Sequence, residues 1–435
     1  MDIKEYKCPN CSGAVKFDSS SQKMKCPYCD TEFEIEALEE YQKEIGTSAQ
    51  DNFGWSAEQA GKPWENPELD ELSSGACPSC GAELLGDQNT AAMVCPCCGN
   101  AQIVSKRLSG LLKPDYLIPF KLEKNNAMDA LKNFCKGKRL LPDYFIEDNN
   151  ISCVQGLYVP FWLFDAQAHG HICYKANKVK TWSDSNYNYT KTDFYSVVRD
   201  GSMAFEKIPV DGSEKMDDSY MDAIEPFDYA QMKDFHTSFL AGYVAEKYDV
   251  TAENCKGRAG QRIKTTMESE FARTVTGYSS VRTESSAVDV KSGKVSYAFF
   301  PVWVLNTKYK KENYLFMMNG QTGRLVGRLP IDSLKAWKYR GLFTGIFGII
   351  FTILIYFLYQ LDAMAISVMW LFSFAMGFMI VHYWKIQMDT ARLKTQAAEY
   401  IVPDSLFFRE KKDRFLYSTL SKVKRQQAKA SHGSR

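Results

Sequence analysis

The sequence predicts an α+β protein. Two small four-cysteine ribbons precede a mainly antiparallel, β-rich domain with a few helices, and a two-helix transmembrane hairpin lies near the C-terminus. Three observations carry that reading. A C-x2-C-x14-C-x2-C spacing occurs twice near the N-terminus. The middle of the chain is rich in β-branched and aromatic residues broken by short turns. Two uncharged apolar runs sit back to back at residues 341–360 and 363–384. The expected boundaries are a first ribbon at 1–35, an acidic linker with a short helix at 36–74, a second ribbon at 75–110, the β-rich domain at 111–335, the hairpin at 336–384 and a basic tail at 385–435.

At 435 residues the chain has room for two or three domains. Its net charge of +1 conceals a polarity: residues 1–110 hold 9 Lys+Arg against 18 Asp+Glu, whereas residues 385–435 hold 12 against 5. The first residues are polar and no apolar stretch follows them, so no secretory signal is expected. Eight of the 13 cysteines fall in CxxC pairs, which on the reducing side of a membrane favours metal thiolates over disulfides.

Cys8, Cys11, Cys26 and Cys29 form the first quartet. Cys77, Cys80, Cys95 and Cys98 repeat it with an offset of 69 residues, and the offset also maps Val15 onto Leu84 and Met24 onto Met93. Cys97 lies between two ligands, but only Cys98 preserves the repeat. Each CPxC knuckle directs two sulfurs at one ion, and two knuckles complete a tetrahedral S4 site. Zinc is the expected metal, two ions per chain, with iron in a rubredoxin-like site as the alternative. Four thiolates leave no position for substrate, so these sites are structural or recognition devices. Redox-active CxxC pairs are disfavoured because they need no second pair at ribbon spacing. The acidic charge of this region argues against nucleic acid, which is held through Lys and Arg. Trp55 and Trp64 in the polar linker are expected to pack on the neighbouring ribbon rather than to form a docking motif.

In the middle region, residues 125–135 suggest a short helix with Ala127, Leu131 and Phe134 on one side. Cys255, Ala259, Ile263, Met267 and Phe271 recur every four residues, an amphipathic helix with a core-facing stripe. YLIPF at 116–120, YVPFWLF at 158–164 and FPVWVL at 300–305 read as strands, and their prolines imply edge strands or bulges. Residues 314–318 and 324–327 read as a hairpin across Asn319-Gly320-Gln321-Thr322-Gly323.

Catalytic chemistry has no visible owner. His169, His171 and Cys173 alternate and would share a strand face, yet with no evident carboxylate partner they read as surface or packed residues rather than a metal site. Cys135, Cys153, Cys173 and Cys255 read as small core residues. Asp211, Asp217, Asp218, Asp222, Glu225 and Asp228 read as a solvated acidic loop, since their spacing matches no calcium loop. GxxxxGK[ST], HExxH and GxSxG are all missing, so no enzyme is expected.

Each apolar run is about 20 residues, roughly 30 Å as a helix, the thickness of a bilayer core. Leu361 and Asp362 alone separate them, which requires a tight hairpin returning to the same side. Two buried helices of a soluble core would each show a polar face, and these show none. Lys335, Lys338 and Arg340 before the first run, with Lys385, Arg392 and Lys394 after the second, place both termini in the cytoplasm. Trp337, Tyr339, Tyr383 and Trp384 supply interfacial rings. Gly341, Gly345 and Gly348, facing Ser373 and Gly377, suit close helix approach. The tail, with Lys411, Lys412, Arg414, Lys422, Lys424 and Arg425 among Phe407, Phe408, Phe415, Leu416 and Leu420, has a mostly helical pattern. It is suited to anionic headgroups, to solvent or to a partner.

The order of these parts, with YVPFW at 158–162, FLAGYVAEKYDV at 239–250 and PVWVLN followed by NGQTGRLVGRLP, resembles a bacterial family of membrane proteins labelled as TFIIB-type zinc-ribbon proteins. The resemblance implies a non-enzymatic platform that recruits PspA-like and SPFH (flotillin-like) partners during envelope stress. It carries over only the eight cysteines. Some members are catalogued as helicase-like, but the nucleotide-binding motifs are missing here. The function expected is a membrane anchor and scaffold, with self-association compatible. The alternative is a membrane-tethered nucleic-acid-binding ribbon protein, and a third reading is an enzyme in the region 111–330.

Overall fold

The computed structural model describes residues 6–46, 50–56, 60–64, 72–87, 95–96, 98, 104–106, 112–145, 151–310, 312–359 and 363–425. Cys97, Met93, Leu361, Asp362 and the side chain of Cys153 lie outside the described parts. The first ribbon is a three-stranded antiparallel sheet, β1 (Lys16–Asp18), β2 (Lys23–Lys25) and β3 (Glu32–Phe33), followed by helix α1 (Ile35–Gly46). So short a unit cannot close a core alone. Its Val15, Met24 and Phe33 join Leu38 and Tyr41 of α1 and borrow Leu416 and Tyr417 from the C-terminal end of the chain.

Four short strands follow: β4 (Asn52–Phe53), β5 (Lys62–Pro63), β6 (Leu72–Ala76) and β7 (Glu83–Asp87). After them come β8 (Val104–Lys106), β9 (Leu112–Lys113), β10 (Tyr116–Leu117) and helix α2 (Lys124–Cys135). Two very long strands then dominate, β11 (Ile151–Ser183) and β12 (Tyr187–Asp211), an antiparallel pair. At about 3.3 Å per residue, β11 has a contour of about 100 Å. Helix α3 (Asp218–Ala223), β13 (Lys233–Asp234), β14 (Val244–Glu246) and helix α4 (Ala252–Arg273) lead to β15 (Ser280–Ser292), β16 (Val295–Tyr309), β17 (Glu312–Asn319) and β18 (Leu325–Gly327). Helices α5 (Ser333–Tyr359) and α6 (Ala363–Ile386) and strand β19 (Phe407–Lys424) complete the chain. Fourteen of these strands form one mostly antiparallel sheet around β11.

Alternation along β11 explains its burial. Phe164, Ala166, Ala168, Ile172, Tyr174 and Ala176 face the α4 stripe, where Ala259, Ile263, Met267 and Phe271 are fully buried as expected. A Cβ on Gly170 would come within 2.9 Å of Met267 Cε, so the bare backbone there admits the helix. On the opposite face Leu157, Val159, Phe161 and Leu163 pack with Phe300, Val302 and Val304, with Met221 of α3 and with Ile224 at the end of that helix. The 312–319 and 325–327 hairpin forms, with Phe316 opposite Gly327 and Gly323 at φ +79°.

Two expectations about strands are corrected. YVPFWLF and FPVWVL are interior strands paired with each other, Pro160 opposite Phe299 and Pro301 opposite Tyr158. Each proline falls where one neighbouring strand ends and the next begins. For Pro160 these neighbours are β14, last paired at Tyr158, and β12, first paired at Phe161; for Pro301 they are β10, ending at Phe299, and β17, starting at Val302. The missing N–H faces a gap in the ladder, so no edge is needed. The basic tail is not helical: β19 pairs with β12 from Tyr187 opposite Lys424 to Ser202 opposite Phe407. Its alternating apolar residues fit a strand at least as well as a helix, and β12 supplies the partner edge that local pattern cannot reveal.

The linker tryptophans pack, but on the β-rich core rather than on a ribbon. Trp55 lies edge-on to Phe164 and donates to the Asp165 carbonyl at 2.7 Å, and Trp64 packs edge-on against Phe235.

Helices α5 and α6 are long and apolar enough to cross a membrane. Only 11% and 17% of their most apolar windows are buried, leaving Ile349, Ile353, Phe357, Leu371 and Met379 exposed. A helix pair in a soluble core would be covered. At their mutual contact a Cβ on Gly377 would meet Thr344 Oγ1 at 2.9 Å and one on Gly348 would meet the Trp370 ring at 2.8 Å, while Ser373 is fully buried. Gly341 and Gly345 have nothing within 4 Å and play no part in that approach.

Candidate metal centres and the ion network beside them

Both cysteine quartets close. In the first, Cys8 Sγ lies 3.6 Å from Cys29 Sγ and Cys11 Sγ lies 3.4 Å from Cys26 Sγ. In the second, the Cys77–Cys98 and Cys80–Cys95 distances are both 3.6 Å. A disulfide would bring two sulfurs to about 2.05 Å. A tetrahedron with Zn–S bonds of about 2.3 Å has sulfur–sulfur edges of about 3.8 Å, so the quartets have the size of a tetrahedral thiolate site. The turn after each of the first three CxxC pairs is made by a residue at positive φ, Ser12 at 62°, Asp30 at 56° and Gly81 at 77°. That bend returns a backbone N–H to the carbonyl of the first cysteine, as in Ser12 N to Cys8 O at 2.8 Å and Gly81 N to Cys77 O at 2.9 Å. Burial pushes the Cys8 thiol up to about 12, so the thiolate form needs a cation beside it.

The two centres are held differently. The first rides on the long sheet: Tyr417 of β19 stacks on Phe194 at 4.5 Å and meets Phe33 edge-on at 5.3 Å, and Lys175 donates to the Pro9 carbonyl. Glu40 of α1 pairs with Lys412 and Arg414 of β19. The second is stitched into the sheet itself, β7 pairing with β14 as well as with β6, while Asn306 Nδ2 donates to the Pro96 carbonyl at 3.1 Å.

His169 and His171 do have a carboxylate partner, which corrects the sequence reading. Asp200, opposite His171 on β12, lies 3.1 Å from His169 Nε2 through one oxygen and 3.1 Å from His171 Nδ1 through the other. The signal is a register, invisible until β11 and β12 are paired. Among the described residues, the sets of three or more His, Cys, Asp or Glu donor atoms within 4.8 Å of one another are the two cysteine quartets. The two histidines and Asp200 form a polar pairing that lies outside those two sets. Cys135, Cys173 and Cys255 are buried as core residues.

The acidic loop is not merely solvated. Asp211, Asp222 and Glu225 are buried beneath α4, which presents Arg258 and Arg262 to them. Arg258 pairs with Asp211 at 2.8 Å, Asp218 at 2.9 Å and Asp222 at 2.6 Å; Arg262 grips both oxygens of Glu225 at 3.1 and 2.8 Å. Asp217 and Asp228 instead cap short helical turns through Ser219 N and Ala230 N. The i, i+4 spacing of the two arginines was the available signal, masked by the apolar stripe beside them.

A pocket of 690 Å³ opens next to Arg258, lined by Asp211, Ser213, Asp217, Asp218, Asn254 and Arg328 among others. Desolvation raises Asp211 from 3.8 to about 7, against the opposing pull of Arg258. A raised carboxyl contributes stability that is complete below the unfolded value and is lost as pH rises through the folded one. Asp211→Asn keeps an acceptor for Arg258 and cannot ionise. It is expected to flatten the fall in unfolding free energy between pH 4 and 7 by about 3 kcal/mol, measured by denaturant titration across that range. An unchanged slope would contradict a neutral Asp211.

No protein-family model matches the sequence and no solved structure matches it. The Bacillus subtilis (strain 168) protein named "Uncharacterized protein YdjG" is 36% identical over 348 residues, covering 80% of this chain and 95% of that relative. A likeness of that depth, running through nearly the whole relative, places the chain in the same family as YdjG.

Proposed function

We propose that this chain is a non-enzymatic, zinc-binding membrane anchor and scaffold that holds cytoplasmic partner proteins at the inner face of a bacterial membrane. The observation that carries the reading is the pairing of an uncovered apolar helix hairpin with a long sheet that reaches far from it. Val154, at the start of β11, packs in the cluster containing Ala336 of α5 and Val381 of α6, whereas Ser183 ends the same strand at the distal tip. A membrane hairpin at one end and two metal-fixed surfaces along the sheet suit presentation of docking sites away from lipid. Both termini are assigned to the cytoplasm by the charges at the helix ends. The partners are PspA-like and SPFH-like proteins, by the resemblance of the sequence motifs.

Crosslinking in intact membranes, followed by identification of neighbours, tests this. PspA-like or SPFH-like proteins are expected under envelope stress. Their absence with and without stress refutes the partner assignment, and a chain soluble without detergent refutes the anchor.

A nucleic-acid reading is favoured by one different surface. Beyond the end of α4, Lys178, Lys180, Lys191 and Lys422 share a sheet face with Trp182 and Tyr189, whose rings stack at 5.4 Å. Single strands bind such lysine-and-aromatic faces. A salt-dependent shift of single-stranded DNA or RNA by the full chain, lost in Trp182→Ala, would support it over the scaffold alone.

A further inference from the structure

Resting on the reading of α5 and α6 as a membrane anchor, we propose that a recess at the open end of the helix pair binds the phosphate headgroup of an anionic membrane lipid. The recess, 270 Å³, lies between the turn that follows α2 and the end of α6 and is lined by Lys138, Arg139, Leu140, Trp384, Gln387 and Met388, with Gly137. Gly137 adopts φ +77°, which turns the chain back over α6.

Among the described residues its charge is uncompensated. The Arg139 guanidinium lies 4.8 Å over the Trp384 ring, is exposed, and makes no ion pair among the described residues. Lys138 Nζ donates to the Gln387 carbonyl at 2.7 Å, which fixes the ammonium at the rim with donors to spare. Three acids among the described residues near it are engaged elsewhere: Asp143 with Lys335, Asp389 with Arg328, and Asp332 with the first backbone N–H groups of α5. A phosphodiester supplies what the guanidinium fork lacks, two oxygens in one plane.

The surroundings favour a lipid over free phosphate as the source. Tyr144, Leu334, Trp337 and Tyr383 are 71%, 75%, 59% and 61% exposed around this end of the hairpin. Aromatic and aliphatic side chains left open beside a cationic recess match the boundary where acyl chains meet headgroups. The basic tail, the sequence's first candidate for that contact, is instead committed to the sheet as β19.

The full chain in detergent, titrated with phosphatidylglycerol or with phosphatidylcholine of the same acyl chains and read by native mass spectrometry, tests the assignment. Phosphatidylglycerol is expected to add one molecule per chain at about tenfold lower concentration than phosphatidylcholine. Arg139→Gln, and separately Lys138→Gln/Arg139→Gln, are expected to erase that difference while zinc content stays at the wild-type value. Because Lys138 also clamps Gln387, the single variant decides the matter if the double variant misfolds. Equal retention of the two lipids, a preference surviving in Arg139→Gln, or displacement of the lipid by millimolar inorganic phosphate each overturns the proposal. A chain that needs detergent yet prefers neither lipid refutes the recess alone; a chain soluble without detergent refutes the anchor as well.

Discussion

Replacing Cys8 and Cys26 together by serine is expected to lower the zinc content from two ions per chain to one and to release α1 from β19. Structural zinc in small ribbons supplies about 10–16 kcal/mol of binding free energy, and a unit of three short strands has little else to replace it. Cys8 and Cys26 are 2% and 0% exposed and sit in the same cluster as Phe33, Leu38 and Tyr417. Losing the ion therefore removes the support beneath the aromatic contacts that seat the ribbon on the sheet. Hydrogen exchange should rise in α1 and along Lys412–Tyr417, the stretch of β19 that meets Glu40 and Phe33, with little change in β6 and β7. The matching pair Cys77→Ser/Cys95→Ser should also cost one ion, but expose β6, β7 and β14, because that centre is built into the sheet through Leu84 and Leu85. Two ions retained in either variant, by metal analysis, would show that the quartets are not the binding sites. A metal other than zinc would overturn the identity while leaving the geometry intact.

The elements legible in the sequence are those written in short-range pattern. The quartets depend on spacing, α4 on a period of about four, the 312–327 hairpin on glycines at its turn, and α5 and α6 on uninterrupted apolar length. What was hidden depends on pairing across long separations. Asp200 meets the histidines only because β12 runs back along β11, and β19 is a strand only because β12 offers it an edge more than 200 residues away in sequence. Pro160 and Pro301 misled for the same reason, since a gap between successive neighbours satisfies a missing N–H as well as an edge does. The acidic stretch looked solvated because Arg258 and Arg262, which neutralise it, lie on a helix whose pattern advertises its apolar side.

The buried pair between those elements carries the second large effect. Arg262 is 2% exposed and Glu225 fully buried, and the guanidinium also donates to the Pro209 carbonyl at 2.8 Å. Around Glu225 gather Tyr400, donating at 2.7 Å, and Lys394 at 3.5 Å, while the Ala397 amide donates to Thr266 Oγ1 on α4 at 2.7 Å. These contacts fasten the segment between α6 and β19 to the core. Arg262→Met leaves the buried Glu225 without its guanidinium fork, and removal of one member of a buried pair costs about 3–5 kcal/mol. The expected result is a loss of that size in unfolding free energy, with protease cleavage appearing between residues 387 and 405. Glu225→Met/Arg262→Met removes both charges. Because a buried pair yields little net stability over apolar groups of similar size, it should regain most of the loss. A double variant as unstable as Arg262→Met would locate the stabilisation in the carbonyl and hydroxyl contacts instead, and an Arg262→Met chain within about 0.5 kcal/mol of wild type would remove the pair from any role in holding the segment.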